Sequence, residues 1–338
     1  MTSPQRDRVA ATLACKRADQ LPLGELYVED GLVAALAGQP PGQPVTPATR
    51  AKVLEALHFD AIAAYPSWRG HPLLGVHLAD PSPGRDAGTL HPHTGTELGL
   101  PDPARLDWSP VRAARATSPF YVLAMLPGPF GELAYGLGME RFLLLCWREP
   151  AEAQRLGDAM VDYGLELARL ALANGAQGLV VGEDIAWEGG LLLRASLYRS
   201  LFLPALEREV SGLRALGAPV VFHSDGDVRA LLDDLVGTGI DALHGCATAS
   251  EVAPSSLAAR TKRRLCLWGS LDLAAFAVSE EVLTARVDEV FSAAPAWPGY
   301  IFGTSAGILD ASLSVTAVRT AFDRAHAISA AGGLTRPQ

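Results

Sequence analysis

The sequence predicts an α/β chain, a (β/α)8 TIM barrel with an N-terminal lead-in helix and a long excursion after the second strand. Three observations carry that prediction. Short apolar runs of strand character recur along the chain, and eight of them can be placed. Helical patterns lie between them, and a return through a helix pairs successive strands in parallel. No G-x-G-x-x-G follows any run, which weakens the open doubly wound sheet as a competitor, whereas eight βα units suit a closed barrel.

Residues 5–15, "QRDRVAATLAC", read as the amphipathic lead-in helix. The strand candidates are 21–28, 60–66, 120–127, 178–184, 219–225, 240–246, 264–270 and 299–305. Helices are expected over 149–174, 196–215, 227–236, 278–293 and 313–330. The segments "ANGAQG" and "ALGAP" carry the glycine that ends a helix just before the next strand. Segment 68–119 breaks this rhythm with its Pro, Gly and His content and is too long for an ordinary connection. It is either an ordered lid or hairpin over a site, or a mobile excursion. Residues 1–338 otherwise read as one domain.

Composition excludes several classes of function. With 49% hydrophobic residues the chain can bury a large core, and a formal charge of −9 argues against a nucleic-acid footprint, which needs a basic stripe. The opening "MTSPQRDRVA" has no apolar signal core, and no apolar run is long enough for a membrane span. Cys15, Cys146, Cys246 and Cys266 are far apart and form no C-x-x-C pair, so a cytoplasmic location with free thiols is expected. Cys15, Cys146 and Cys266 read as core residues.

The chemistry concentrates at the ends of the strand candidates, where a parallel barrel collects its reactive groups. In "APVVFHSDGDV" (218–228), His223 and Asp225 lie two apart and share one face, and Gly226 lets the backbone turn. Asp227 opens the next helix, where a carboxylate caps free amides. "GLVVGED" ends in Glu183 and Asp184, and alternation turns only one of them toward the barrel axis. Candidate catalytic residues are therefore His223, Asp225, Asp184 and Glu25. Tyr65, Trp68, Tyr135, Trp268 and Ser305 are candidates to line a small substrate. Glu183, His223 and Cys246 could converge from three consecutive strands as zinc ligands with an open fourth position. Without a metal, His223 and Asp225 would form an acid–base pair near neutral pH, and the residues leave both readings open. Histidines 71, 77, 91 and 93 of the excursion read as solvated loop residues.

These motifs, in this order, carry a resemblance. The stretch from "VVGEDIAWEGG" through "FHSDGDVRALLDDLVGTGIDALHG" to "LCLWGSLDL" and "GYIFGTSAGI" resembles the uroporphyrinogen decarboxylase superfamily, and "RVAATLACKRADQLPLGE" is similar to its usual opening. The resemblance covers most of the chain and implies a (β/α)8 barrel. The superfamily's tetrapyrrole decarboxylases carry an arginine-bearing motif after the first strand and a histidine in a late N-L-G-H-G motif. Here those places read "GELYVED" and Ala306, so a substrate bearing eight carboxylates meets the wrong charge. The other branch passes methyl groups to or from corrinoid proteins, and its thiol-activating members hold zinc through H-x-C and a distant cysteine. His223 matches that histidine, whereas Asp225 and Ala306 stand at the cysteine positions. Methyltransferase-like members that demethylate small molecules resemble the H-S-D-G version more closely. "PGPFGELAYG" (127–136) is similar to the family's substrate loop and adds Phe130 to the substrate candidates. No D-x-H-x-x-G corrinoid motif is present, so cobalamin would arrive on a partner protein.

The leading expectation is methyl transfer between a small donor and a corrinoid protein, with metal or acid–base activation. Decarboxylase or lyase action on a small acid, with Arg69 or Arg194 as carboxylate clamp, is the second reading. A non-catalytic small-molecule binder is the third. A homodimer fits any of them.

Overall fold

Eight strands, Gly24–Glu25, Ala61–Ala64, Tyr121–Pro127, Gly178–Gly182, Val220–His223, Ala242–Ala247, Cys266–Leu271 and Tyr300–Thr304, form one sheet whose neighbours follow chain order. This is a computed structural model, and it describes residues 3–40, 42–68, 71–72, 100–247, 254–261, 264–293 and 298–332. The first and last strands come together through a parallel bridge between Leu23 and Phe302, with Phe302 N donating to Pro22 O, so the sheet is nearly closed. The fold is therefore the expected (β/α)8 barrel. Strand residues are buried in nearly unbroken runs, because parallel strands are covered on both faces.

Backbone contacts group the chain into two compact units, each with its own apolar centre. The first comprises Met1–Ala64, Ala113–Leu123 and Asp241–Gln338. Its rings include Phe59 against Phe322 (4.8 Å between centroids) and Phe302 against Phe291 and Phe322. The lead-in helix, Pro4–Leu13, is capped by Ser3 and held by two arginines. Arg6 donates to the carbonyls of Ser118 and Phe120, and Arg8 pairs with buried Asp60 and with Asp19. The second unit comprises Tyr65–Arg112 and Ala124–Ile240. Phe130, Phe142, Tyr198 and Phe202 fill its centre with tilted and edge-on ring contacts.

Several boundaries differ from the sequence expectation for physical reasons. The run 21–28 breaks at Leu26, because Tyr27–Val28 leaves the main sheet to pair with Ile308–Leu309. The helix expected over 196–215 is two, Ala195–Leu201 and Leu203–Ala215, since Pro204 starts the second and supplies no N–H to continue the first. Segment 227–236 begins as a 3-10 turn at Arg229–Leu231 before the helix Leu232–Thr238. The 68–119 excursion ends in regular structure: a 3-10 turn at Pro103–Arg105, a bridge between Ser67 and Asp107, and a helix at Ser109–Thr117. Its stretch 73–99, with histidines 77, 91 and 93, lies outside the described residues, as do Arg69 and the side chains of Trp68 and His71. Cys146 and Cys266 are buried thiols, but Cys15 is only half-buried, in a positive-φ turn after the lead-in helix. Among the described residues no helix is long and apolar enough to cross a membrane.

Candidate active site

The end of the fifth strand explains why an imidazole and two carboxylates follow an apolar run. His223 closes the strand against Gly182, and its carbonyl accepts from Glu183 N. Ser224 Oγ accepts from Ile185 N and donates to Asp225 O, tying the two strand ends together. Gly226 then takes a left-handed turn (φ +82°) directly on the backbone of Trp187, where a Cβ would come within 2.5 Å. Asp227 N donates to Trp187 O, and its carboxylate accepts from Arg229 N and from the Arg229 guanidinium, while Val228, not Asp227, stands at the N-cap of the 3-10 turn.

This arrangement brings Asp184, His223 and Asp225 together, with one ligand atom from each lying within 4.8 Å of the others. His223 Nε2 is 3.6 Å from Asp184 Oδ1 and 3.9 Å from Asp225 Oδ1. Asp184 is held at both oxygens: Asp225 N donates to Oδ1 and the Tyr135 hydroxyl donates to Oδ2 at 2.9 Å. Burial and the adjoining Asp184 carboxylate push the Tyr135 phenol well up. His223 is nearly buried, whereas half of the Asp225 side chain is open to solvent.

Glu183, expected as a metal ligand, is turned the other way. It is fully buried and accepts from Phe130 N, from Gly131 N at 2.6 Å and from the Tyr198 hydroxyl. It thus caps the start of the helix Gly131–Leu137. Alternation at the strand end sends its neighbour Asp184 to His223 instead. The side chain of Cys246 lies outside the described residues.

Glu25 belongs to the first unit and is equally buried. It accepts from Thr304 N and Oγ1 and lies 3.5 Å from His244 Nε2. Trp268 is fully buried beside His244 and donates Nε1–H to Gly24 O. Of the substrate candidates, Tyr65 and Phe130 are also buried, and Ser305 is half-buried with its N–H on Leu271 O. Tyr135, 47% exposed, is joined to the acidic cluster. Arg194, the clamp of the decarboxylase reading, lies over the Trp147 ring at 5.5 Å.

Two features escape the sequence reading. The hairpin Ala186–Trp187 with Gly190–Leu191 carries exposed Trp187 beside Gly226; its strands are two residues each, too short for a periodic signal. Glu132 and Glu209 add two buried carboxyls near Glu183. Burial, then the neighbouring acids, raise Glu132 to about 8, and Glu209 is also pushed well up. Glu209 interrupts the apolar stripe of Leu206, Val210 and Leu213, a signal that was present in the sequence.

The family model described as "Uroporphyrinogen decarboxylase (URO-D)" matches residues 111–328. The chain is 26% identical over 211 residues to a uroporphyrinogen decarboxylase of Anaeromyxobacter dehalogenans, covering 61% of this chain and 58% of that protein. It is 27% identical over 173 residues to the Shewanella piezotolerans protein of that name, covering 50% and 47%. The chain thus spans about half to three-fifths of the length of these relatives. A methyltransferase from Methanosarcina mazei superposes with a TM-score of 0.74 at 13% identity, over 97% of this chain and 99% of that one, a likeness of fold. The family match covers well over half of the sequence, and the chain belongs to the uroporphyrinogen decarboxylase (URO-D) family.

Proposed function

We propose that the chain takes a methyl group from a small donor bound at Asp184, His223 and Asp225 and passes it to a corrinoid carried by a partner protein. The observation that carries this reading is the convergence of two carboxylates and an imidazole at adjoining strand ends, beside an exposed phenol. The donor set suits a divalent cation such as zinc, which accepts carboxylate oxygen and imidazole nitrogen and leaves a position for substrate. Asp184, His223 and Asp225 would hold it. A metal bound there supplies Lewis-acid polarisation of the donor heteroatom.

The protein's own groups do the rest. Tyr135 and the Asp225 amide each fix one Asp184 oxygen, which orients that carboxylate toward His223. Asp225 is the open member of the cluster and the one a substrate meets first. Without a metal, His223, between two carboxylates, would instead hold the proton that the donor heteroatom takes up once its methyl has left. The likeness to the Methanosarcina mazei methyltransferase supports the reaction class. Decarboxylation of a small acid is the second reading, supported by the family description. Of the two clamps that reading would use, Arg194 lies over the Trp147 ring and Arg69 lies outside the described residues.

Zinc content after loading and exhaustive dialysis tests the metal. About one equivalent is expected in the wild type, and His223→Ala and Asp184→Asn should each lose most of it; retained stoichiometric zinc in His223→Ala removes the proposed ligand set. The reaction is tested with free cob(I)alamin as acceptor and methoxylated or methylated small molecules as donors, reading the spectrum of methylcobalamin. Carbon dioxide release from small acids, with no methylcobalamin formed, would decide for the second reading.

A further inference from the structure

We infer that Glu183 is a positioning residue: by capping the helix Gly131–Leu137 it sets the Tyr135 hydroxyl on Asp184, and so fixes the carboxylate that faces His223. The helix touches the strand end at two places. At its start, both Glu183 oxygens are taken by Phe130 N, Gly131 N and Tyr198 Oη, at 2.6 to 3.1 Å. At its other end, one turn later, Tyr135 donates to Asp184 Oδ2. Because Glu183 and Asp184 are consecutive, these contacts make a closed frame: strand end, cap, helix, phenol and strand end again.

The fit leaves little slack. A Cβ at Gly128 would come within 2.6 Å of the Glu183 carboxyl, and one at Gly131 within 3.0 Å of Asp184 N. Gly128 therefore lets the loop lie on the Glu183 carboxyl, and Gly131 lets it lie on the 183–184 backbone. Glu183 faces inward, away from solvent, and its carboxyl oxygens are occupied by donors, so it acts through Tyr135 and Asp184 and does not itself meet substrate. Burial pushes its carboxyl up to about 8, against the pull of these donors.

The inference rests on the proposed function only for its metal readout, so the test has two. The assigned 13Cζ signal of Tyr135 in the metal-free protein reports whether its hydroxyl still donates to a carboxylate. Co(II) titration reports the affinity of the cluster. Glu183→Ala should move the Tyr135 signal toward that of a solvated tyrosine and weaken Co(II) binding ten- to a hundred-fold, as loss of outer support does at metal sites. Glu183→Gln, which keeps an acceptor oxygen, should recover most of both. Tyr135→Phe should weaken Co(II) binding similarly, and combining it with Glu183→Ala should add little. If Glu183→Ala does not fold, Gly128→Ala displaces the same carboxyl while keeping the group itself, with the same expected signals. Phe322→Leu, a core variant of the other unit, controls for simple loss of stability. An unmoved Tyr135 signal with unchanged Co(II) affinity in Glu183→Ala or Gly128→Ala overturns the inference, as does an equal effect in Phe322→Leu. A wild type that binds no Co(II), but whose Tyr135 signal shifts as expected on substitution, sinks the metal reading and leaves the positioning role standing.

Discussion

Glu132 and Glu183 carry their own signature in pH. Burial raises both carboxyls from an ordinary value near 4.5 to about 8, so between these limits the folded chain binds more protons than the unfolded one. Stability present below about pH 4.5 is therefore lost as the pH climbs toward 8, by roughly 1 kcal/mol per pH unit for each group. Denaturant unfolding from pH 5 to pH 8 should show this fall, and Glu132→Gln should flatten part of it while raising stability at pH 7.5. A pH-independent unfolding free energy would mean that the buried acids stay ionised. Gly226 makes the second prediction at this scale: Gly226→Ala meets the Trp187 backbone at 2.5 Å in a left-handed turn and should cost about 2 kcal/mol or more by urea denaturation. The zinc content of that variant should also fall, since the turn places Asp225.

At the scale of elements, the lead-in helix is fastened by charge more than by a continuous apolar face. Arg8 reaches Asp60, whose other oxygen accepts from Leu23 N beside the first strand. Burial raises Asp60 to about 6 although Arg8 pulls the other way. Arg8→Ala should therefore cost about 3 kcal/mol at pH 8, where a buried carboxylate loses its partner, and less at pH 5, where Asp60 can take a proton instead. Equal losses at the two values would rule out ionised Asp60 as the source. The elements most legible in the sequence were those with a long period or a punctuating residue. The helices Pro150–Ala173, Glu280–Ala293 and Val315–Ala330 lie within a residue or two of their expected ranges. The Ser109–Thr117 helix was missed because a Pro- and Gly-rich stretch led into it.

At the scale of the whole molecule, alternating apolar runs and helical patterns were enough to specify parallel strands in chain order, and the barrel follows from their number. The site was partly legible as well. His223 with Asp225 could be read from a two-residue spacing, since alternation along a strand depends on nothing beyond the strand itself. The choice between Glu183 and Asp184 could not, because it turns on where the amides of Phe130 and Gly131, more than fifty positions earlier in the chain, meet the strand end. Nor could Tyr135 be joined to Asp184, or the full burial of Phe130 and Trp268 be read, by composition or period. The sequence by itself determined the strands, their parallel order and the residues that stand at their ends, because those depend on local spacing and on the burial of apolar runs. Only the tertiary structure decided which carboxylate faces the imidazole and which one holds the helix, because a side chain's partner is set by segments that approach through space.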